Sequence, residues 1–179
     1  MKATGIVRRI DELGRVVIPK EIRRTLRIRV GDPLEIFTDK DGQIIFKKYS
    51  HIEDLTDVAS TFSSVLSSSL DAVCLVTDKD NIVAVSGAKT REFMEKEISR
   101  ELLRSISGRE GVLLHDSNKV KITENDDPGK YKTQIIVPIL VDGDVTGAII
   151  AISRKEAMDE KELLVCKTLA KLIGCQIEC

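Results

Sequence analysis

Two stretches in the first fifty residues, GIVRRIDELGRVVIP and LEIFTDKDGQIIFKK, each set an Asp-x-x-Gly between apolar runs, at Asp11 to Gly14 and Asp39 to Gly42. Glycine at the end of such a turn supplies the positive φ that a tight reversal needs, so the pattern predicts two strand-turn-strand hairpins. Their apolar residues are consecutive (Val16, Val17, Ile18 and Ile44, Ile45, Phe46), so both faces of these strands want cover. A fifty-residue unit buries too small a fraction of its surface to supply that cover, and this one has neither disulfide nor metal-ligand spacing to help. Dimerisation through the hairpins is the simplest remedy.

Between the hairpins, PKEIRRTLR places Pro19 at a helix start and spaces Ile22 and Leu26 four apart, which predicts a short helix that Gly31 and Pro33 stop. At YSHIED the pattern changes. Ser50 and Glu53 form an S-x-x-E capping box, and Ile52, Leu55, Val58, Ala59, Phe62, Val65, Leu66 and Leu70 follow at helical spacing. The many serines of STFSSVLSSSL are mediocre helix formers, so tertiary packing has to carry that helix. AVCLVTDKDNIVAVSG then reads as a hairpin turning at Asp78 to Asn81, and TREFMEKEISRELLRSI as one or two helices. LHDSNKVKITENDDPGKYK reads as loops with a short strand. TQIIVPILVDGDVTGAIIAIS gives two strands, the second central because it is almost wholly apolar. Leu163, Cys166, Leu169, Ala170, Ile173 and Ile177 form one face of a last helix. The layout is α+β with an antiparallel sheet, and the expected organisation is residues 1–50, a linker and helix start at 51–55, and a second domain at 56–179.

Charge divides the chain in the same place. Residues 1–50 hold twelve Lys/Arg and seven Asp/Glu, net +5, and residues 51–179 hold sixteen and twenty-two, net −6, which together make the overall −1. Within residues 1–29, nine cations face only Asp11, Glu12 and Glu21. Arginine forks suit phosphate and the guanine edge, so a polyanion is the partner this end calls for, against the plainer reading of a solvated charged face.

Several function classes find little support. No apolar run approaches the ~20 residues that span a bilayer, and MKATGIVRRIDELG lacks a signal-peptide core, so a cytoplasmic protein without a membrane partner is expected. Cys74, Cys166, Cys175 and Cys179 have no C-x-x-C spacing and are expected to be reduced thiols. His115 with Asp116, and Glu124, Asp126 and Asp127 of ENDDPG, lack metal-site spacing and read as loop residues, while DKDN at 78–81 reads as a turn. No nucleophile elbow, H-E-x-x-H or phosphate loop is present, so neither catalytic residues, metal nor cofactor are expected.

The segment TGIVRRIDELGRVVIPKEIRRTLRIRVGDPLEIF closely resembles the AbrB-type transition-state regulators, over nearly all of residues 3–49. The resemblance implies an intertwined swapped-hairpin dimer that binds double-stranded DNA. By motif position, it implies that Arg8, Arg15, Arg23 and Arg24 contact DNA, with Arg9 and Lys20 in support. The same fold serves antitoxins that bind a toxin chain; those normally carry an extended acidic tail, where this chain has a folded second domain. The whole layout is similar to sporulation transcription factors of spore-forming bacteria, activators or repressors, which implies a GAF-like domain over residues 56–179. Such domains often bind a small molecule, and the span 110–133 is where a pocket lid would lie. The helices at 53–70 and 159–177 are expected to join two dimers into a tetramer. A ligand sensor without DNA affinity is the remaining alternative.

Overall fold

A computed structural model of the chain describes residues 5–49 and 56–178. The chain divides into two compact units, Met1–Tyr49 and Ser50–Cys179. The capping box at Ser50 and Glu53 and the linker at 51–55 lie outside the described residues.

In the first unit, helix α1 (Lys20–Thr25) is followed by an antiparallel hairpin of β1 (Leu34–Thr38) and β2 (Ile44–Lys48). The two Asp-x-x-Gly turns share one bonding pattern. Asp11 Oδ1 accepts from the Leu13 and Arg15 amides at 3.0 and 2.8 Å, and Asp39 Oδ1 accepts from the Asp41 and Gln43 amides at 3.0 and 2.9 Å. Gly14 and Gly42 both sit at φ 75°. Each aspartate thus folds its own turn, a local effect that needs no tertiary support.

Two expectations need correcting. Residues 5–18 form the expected turn, closed by Asp11 N–H to Arg15 C=O at 3.0 Å, but no strand ladder forms on either side of it, so Arg8 and Arg9 lie outside any paired strand. Only the second hairpin pairs within the chain. The helix, for its part, begins after Pro19, which is its N-cap, and ends well before Gly31. Ile28 N–H reaches Arg23 C=O at 2.7 Å and Arg27 N–H reaches Arg24 C=O at 3.4 Å, with Arg27 at φ 53°. This is a Schellman cap with arginine in the left-handed position where glycine usually stands. Downstream, Lys48 Nζ ties β2 back to Asp32 at 3.3 Å and to the Arg27 carbonyl at 3.3 Å.

The second unit is a five-stranded antiparallel sheet with covered faces. Its elements are α2 (Thr56–Leu70), β3 (Val73–Asp78), β4 (Ile82–Ser86), the single turn α3 (Thr90–Phe93), α4 (Arg100–Ser107), β5 (Val112–His115), β6 (Thr133–Val141), β7 (Asp144–Ser153) and α5 (Glu160–Glu178). The strand order is β4-β3-β7-β6-β5, which puts the apolar β7 in the middle as its composition requires. Strand alternation sends Ile149 and Ala151 into one core with Leu66, Leu163, Cys166, Ala170 and Ile173 of α2 and α5. Ala148, Ile150 and Ile152 enter the other core with Phe93, Leu102, Ile106, Ile122 and Tyr131. The serine-rich helix α2 is held as expected by packing. Ala59, Ser63 and Leu66 are buried, and the Ser63 and Ser86 hydroxyls share a hydrogen bond at 2.9 Å.

The long loop between β5 and β6 is pinned from several directions. Ser99 caps α4 by accepting from Leu102 N–H at 3.0 Å and also donates to the Lys121 carbonyl. The buried Gln134 side chain bonds Val120 twice, accepting from its N–H at 2.9 Å and donating to its C=O at 3.0 Å. Asp126, within the acidic ENDDPG stretch, accepts from Ile122 N–H at 2.9 Å and from the Tyr131 hydroxyl. Burial and that bond to a carboxylate push the Tyr131 phenol well above its usual range.

Candidate nucleic-acid interface

The cations singled out in the sequence all belong to the first unit. Arg8 and Arg9 lie on the exposed segment before the first turn, Arg15 closes that turn, Lys20 opens α1, and Arg23 and Arg24 occupy its last helical turn. Arg8, Arg9, Arg15, Lys20 and Arg24 are exposed and Arg23 is half-buried. Among the described residues Arg8 makes only a long 3.4 Å bond to the neighbouring Val7 carbonyl. Cations in the last turn also complement the negative end of the helix dipole, a small term that any helix would use.

Arg15 differs from the others because its direction is fixed. Its Nε donates to Asp11 Oδ2 at 2.8 Å while Asp11 Oδ1 accepts from its backbone N–H. The amide and the guanidinium of Arg15 hold the Asp11 carboxyl below the usual carboxylate range, so the pair is charged at neutral pH. Among the described residues only the Nε edge is engaged, which leaves the two Nη groups to a planar oxyanion. In the sequence Asp11 stood out as a turn former and a nearby neutralising charge; its role in aiming Arg15 was not apparent. An Asp-x-x-Gly turn followed directly by arginine was the signal for that role.

The same unit is unusual in burying no core of its own. Pro19 is the only described residue in it that is fully buried. Val7 is 85% exposed, Leu13 74%, Val17 71% and Val30 93%. Ile36, Phe37, Ile44, Ile45 and Phe46 of the hairpin are exposed as well. So much contiguous apolar chain in water is the mark of a surface made to be covered.

In the second unit the expected lid span behaves otherwise. Ile122 and Tyr131 turn inward and fill the space between the loop and the sheet, beside Phe93 and Ile136. His115 is exposed at the end of β5, with Asp116 beginning a 3₁₀ turn, and no group of three or more His, Cys, Asp or Glu able to hold a metal occurs among the described residues. Cys74 and Cys166 are buried free thiols and Cys175 is an exposed one; Cys179 lies outside the described residues. No helix among the described residues is long and apolar enough to cross a membrane.

Known proteins fit both halves. Residues 54–178 match the family described as stage V sporulation protein T C-terminal, transcription factor, and residues 7–54 match the family of MazE antidote-toxin recognition, bacterial antitoxin. Stage V sporulation protein T of Bacillus subtilis (strain 168) is 46% identical over 178 residues, covering 99% of each chain. The transition state regulatory protein AbrB of the same organism is 67% identical over 49 residues, which are 27% of this chain and 50% of that protein. The GAF domain of a phosphoenolpyruvate-protein phosphotransferase from Acinetobacter has the same fold, with a TM-score of 0.59 at 15% identity over 73% of this chain and 84% of that one. An AbrB-like N-terminal unit joined to a GAF-like α+β domain, with near-complete coverage of a full-length relative, settles the family: the chain belongs to the stage V sporulation protein T family of sporulation transcription factors.

Proposed function

We propose that the first unit works as an intertwined dimer on double-stranded DNA, with Arg8, Arg15, Arg23 and Arg24 as its principal contacts and Arg9 and Lys20 in support. The carrying observation is that a unit with five exposed cations among these six also leaves its apolar strands uncovered. Covering those strands with a second copy doubles the basic surface. Phosphate contacts then supply affinity and register, and arginines at base edges or in shape-dependent grooves supply preference. In this reading residues 56–179 regulate and assemble the protein without catalysing a reaction. The exposed Val65 of α2 and Val165 and Leu172 of α5 are the helix surface through which two dimers join into a tetramer. The protein acts in the cytoplasm, at the nucleoid.

A titration of labelled duplex DNA across several salt concentrations tests this, using wild type and an Arg15→Ala/Arg23→Ala variant. Four arginines per chain give eight per dimer, so if all meet phosphates the log-log salt slope approaches about −7, and about −3.6 in the variant. Salt-insensitive or absent binding in both proteins would refute the reading. The match of residues 7–54 to an antitoxin family favours a second reading, in which this unit clasps a protein. Co-purification of a toxin-like chain by a protein that ignores DNA would establish it.

A further inference from the structure

The sheet leaves one corner open. Strand β5 pairs with β6 only from Val112–Ile136 to His115–Thr133, so Val137–Val141 of β6 has no strand neighbour on that edge among the described residues. Pro138 stands on this stretch, where its missing N–H costs no ladder bond. Helix α5 roofs the gap. It lies close to the strand at Gly174, where an added Cβ would lie 2.5 Å from the Leu140 carbonyl oxygen. Towards its N-terminus a cavity of about 290 Å³ opens beneath the helix flank. That volume falls at the small end of the ~300–1,000 Å³ range typical of ligand pockets.

The lining of this cavity has two characters. Val137, Pro138, Leu140 and Leu164 make an apolar wall, while Lys167 and Lys171, one helical turn apart, and Arg109 stand at its rim. Neither lysine has an ion-pair partner among the described residues, and Arg109 has only Asp144 at 3.3 Å, both of them exposed. Lys167 is placed by packing. A Cβ on Gly111 would lie 2.8 Å from Lys167 Cε, 3.3 Å from its Cγ and 3.2 Å from Val137 Cγ2, so the lysine stem crosses Gly111 at close range. Three cations lining one cavity with an apolar wall, within a stretch of chain whose net charge is −6, call for an anion. The cavity lies on the α5 face of the sheet, away from the loop face that Ile122 and Tyr131 fill.

We infer that this notch binds a small organic anion with a compact aliphatic body, its charged group between Lys167, Lys171 and Arg109 and its body against Val137, Leu140 and Leu164. The inference does not depend on the DNA-binding reading.

The test titrates full-length protein calorimetrically with hexanoate, using hexanol and inorganic phosphate as probes of each half of the ligand. Methyl NMR of Val137, Leu140 and Leu164 locates the site. Hexanoate binds and shifts those methyls, while hexanol and phosphate bind at least about tenfold more weakly. Lys167→Gln/Lys171→Gln weakens hexanoate by about tenfold or more, with the helical circular dichroism signal unchanged. Gly111→Ala, which displaces the Lys167 stem, weakens it as well. No binding at about 10 mM hexanoate overturns the proposal, as does equal affinity in the double-lysine variant. Hexanol matching hexanoate refutes the role of the cations, and phosphate matching it refutes the role of the apolar wall.

Discussion

Gly174→Ala sets two opposing effects against each other at one buried position of α5. Helix propensity favours alanine over glycine by about 1 kcal/mol, most of it from the stiffer unfolded chain. Against it, the new Cβ lies 2.5 Å from the Leu140 carbonyl oxygen and 3.6 Å from its carbon. That is about 1 Å short of the ~3.5 Å at which non-bonded heavy atoms sit comfortably. The obstructing atom is backbone of β6, held by β7 through the Leu140–Val145 pair, so neither partner moves alone. Lifting the helix instead opens the core around Ala170 and Ile173. Overpacking of this kind costs about 1–3 kcal/mol, and loosened core contacts add to it. The clash wins, with a net destabilisation of about 1–2 kcal/mol and a melting temperature lower by roughly 2–8 °C. Urea unfolding followed by helical circular dichroism at fixed protein concentration measures it. Ser68→Ala on the exposed face of α2 serves as the control, and it gains a few tenths of a kcal/mol from propensity alone. A Gly174→Ala midpoint equal to or above wild type would refute the claim that α5 rests directly on the β6 backbone.

Further outcomes follow from charge and burial. Burial pushes the Cys166 thiol up to about 12 and the Cys74 thiol higher still, against 9.0 for a free thiol. Above pH 9 the unfolded thiols ionise while the folded ones keep their protons, so stability falls as pH rises, by about 1.4 kcal/mol per thiol at pH 10. Cys166→Ala flattens the decline in the urea midpoint between about pH 8 and 10; an unchanged slope would contradict the linkage. Tyr131→Phe removes the hydroxyl from Asp126 and destabilises by about 1–2 kcal/mol, read by thermal melting. Asp11→Ala separates two pictures of the basic surface. Simple charge counting predicts tighter DNA binding once a carboxylate is gone, whereas loss of the Arg15 anchor predicts weaker binding, and a duplex titration at fixed salt decides between them. Val165→Glu/Leu172→Glu halves the mass measured by light scattering with helicity intact; an unchanged mass refutes the α2–α5 assembly surface.

The parts of this fold that could be read from the sequence are those decided over a few residues or by a strong period. Asp11 and Asp39 each build a turn from their own carboxylate and a glycine three positions on, so both turns were legible. Leu163, Cys166, Leu169, Ala170, Ile173 and Ile177 fall on one side of α5 by helical spacing alone, and all of them join the same core. The stop of α1 was not legible because the left-handed cap position is filled by Arg27, whose type gives no hint of a positive φ. The roles of Gln134 and Ser99 were not legible because their partners, Val120 and Lys121, are loop carbonyls and amides 14 to 22 positions away.

The basic end divides along the same line. Its charge was legible as plain counting, and so was its need for a covering partner, because the consecutive apolar residues of the strands want cover on both faces. The direction of the charge was not legible, because an arginine aimed by a neighbouring carboxylate has the same composition as one that is merely paired with it. Asp11 therefore has opposite signs in the two descriptions: it subtracts from the net charge of the surface and adds to the order of the Arg15 guanidinium. Which sign prevails is set by whether binding depends on total charge, whose long-range attraction salt screens, or on a fork held by a 2.8 Å contact, which salt screens less than charges a Debye length apart. An affinity loss in Asp11→Ala that persists at high salt, where counted charge matters least, would assign the surface to oriented contacts rather than to attraction alone.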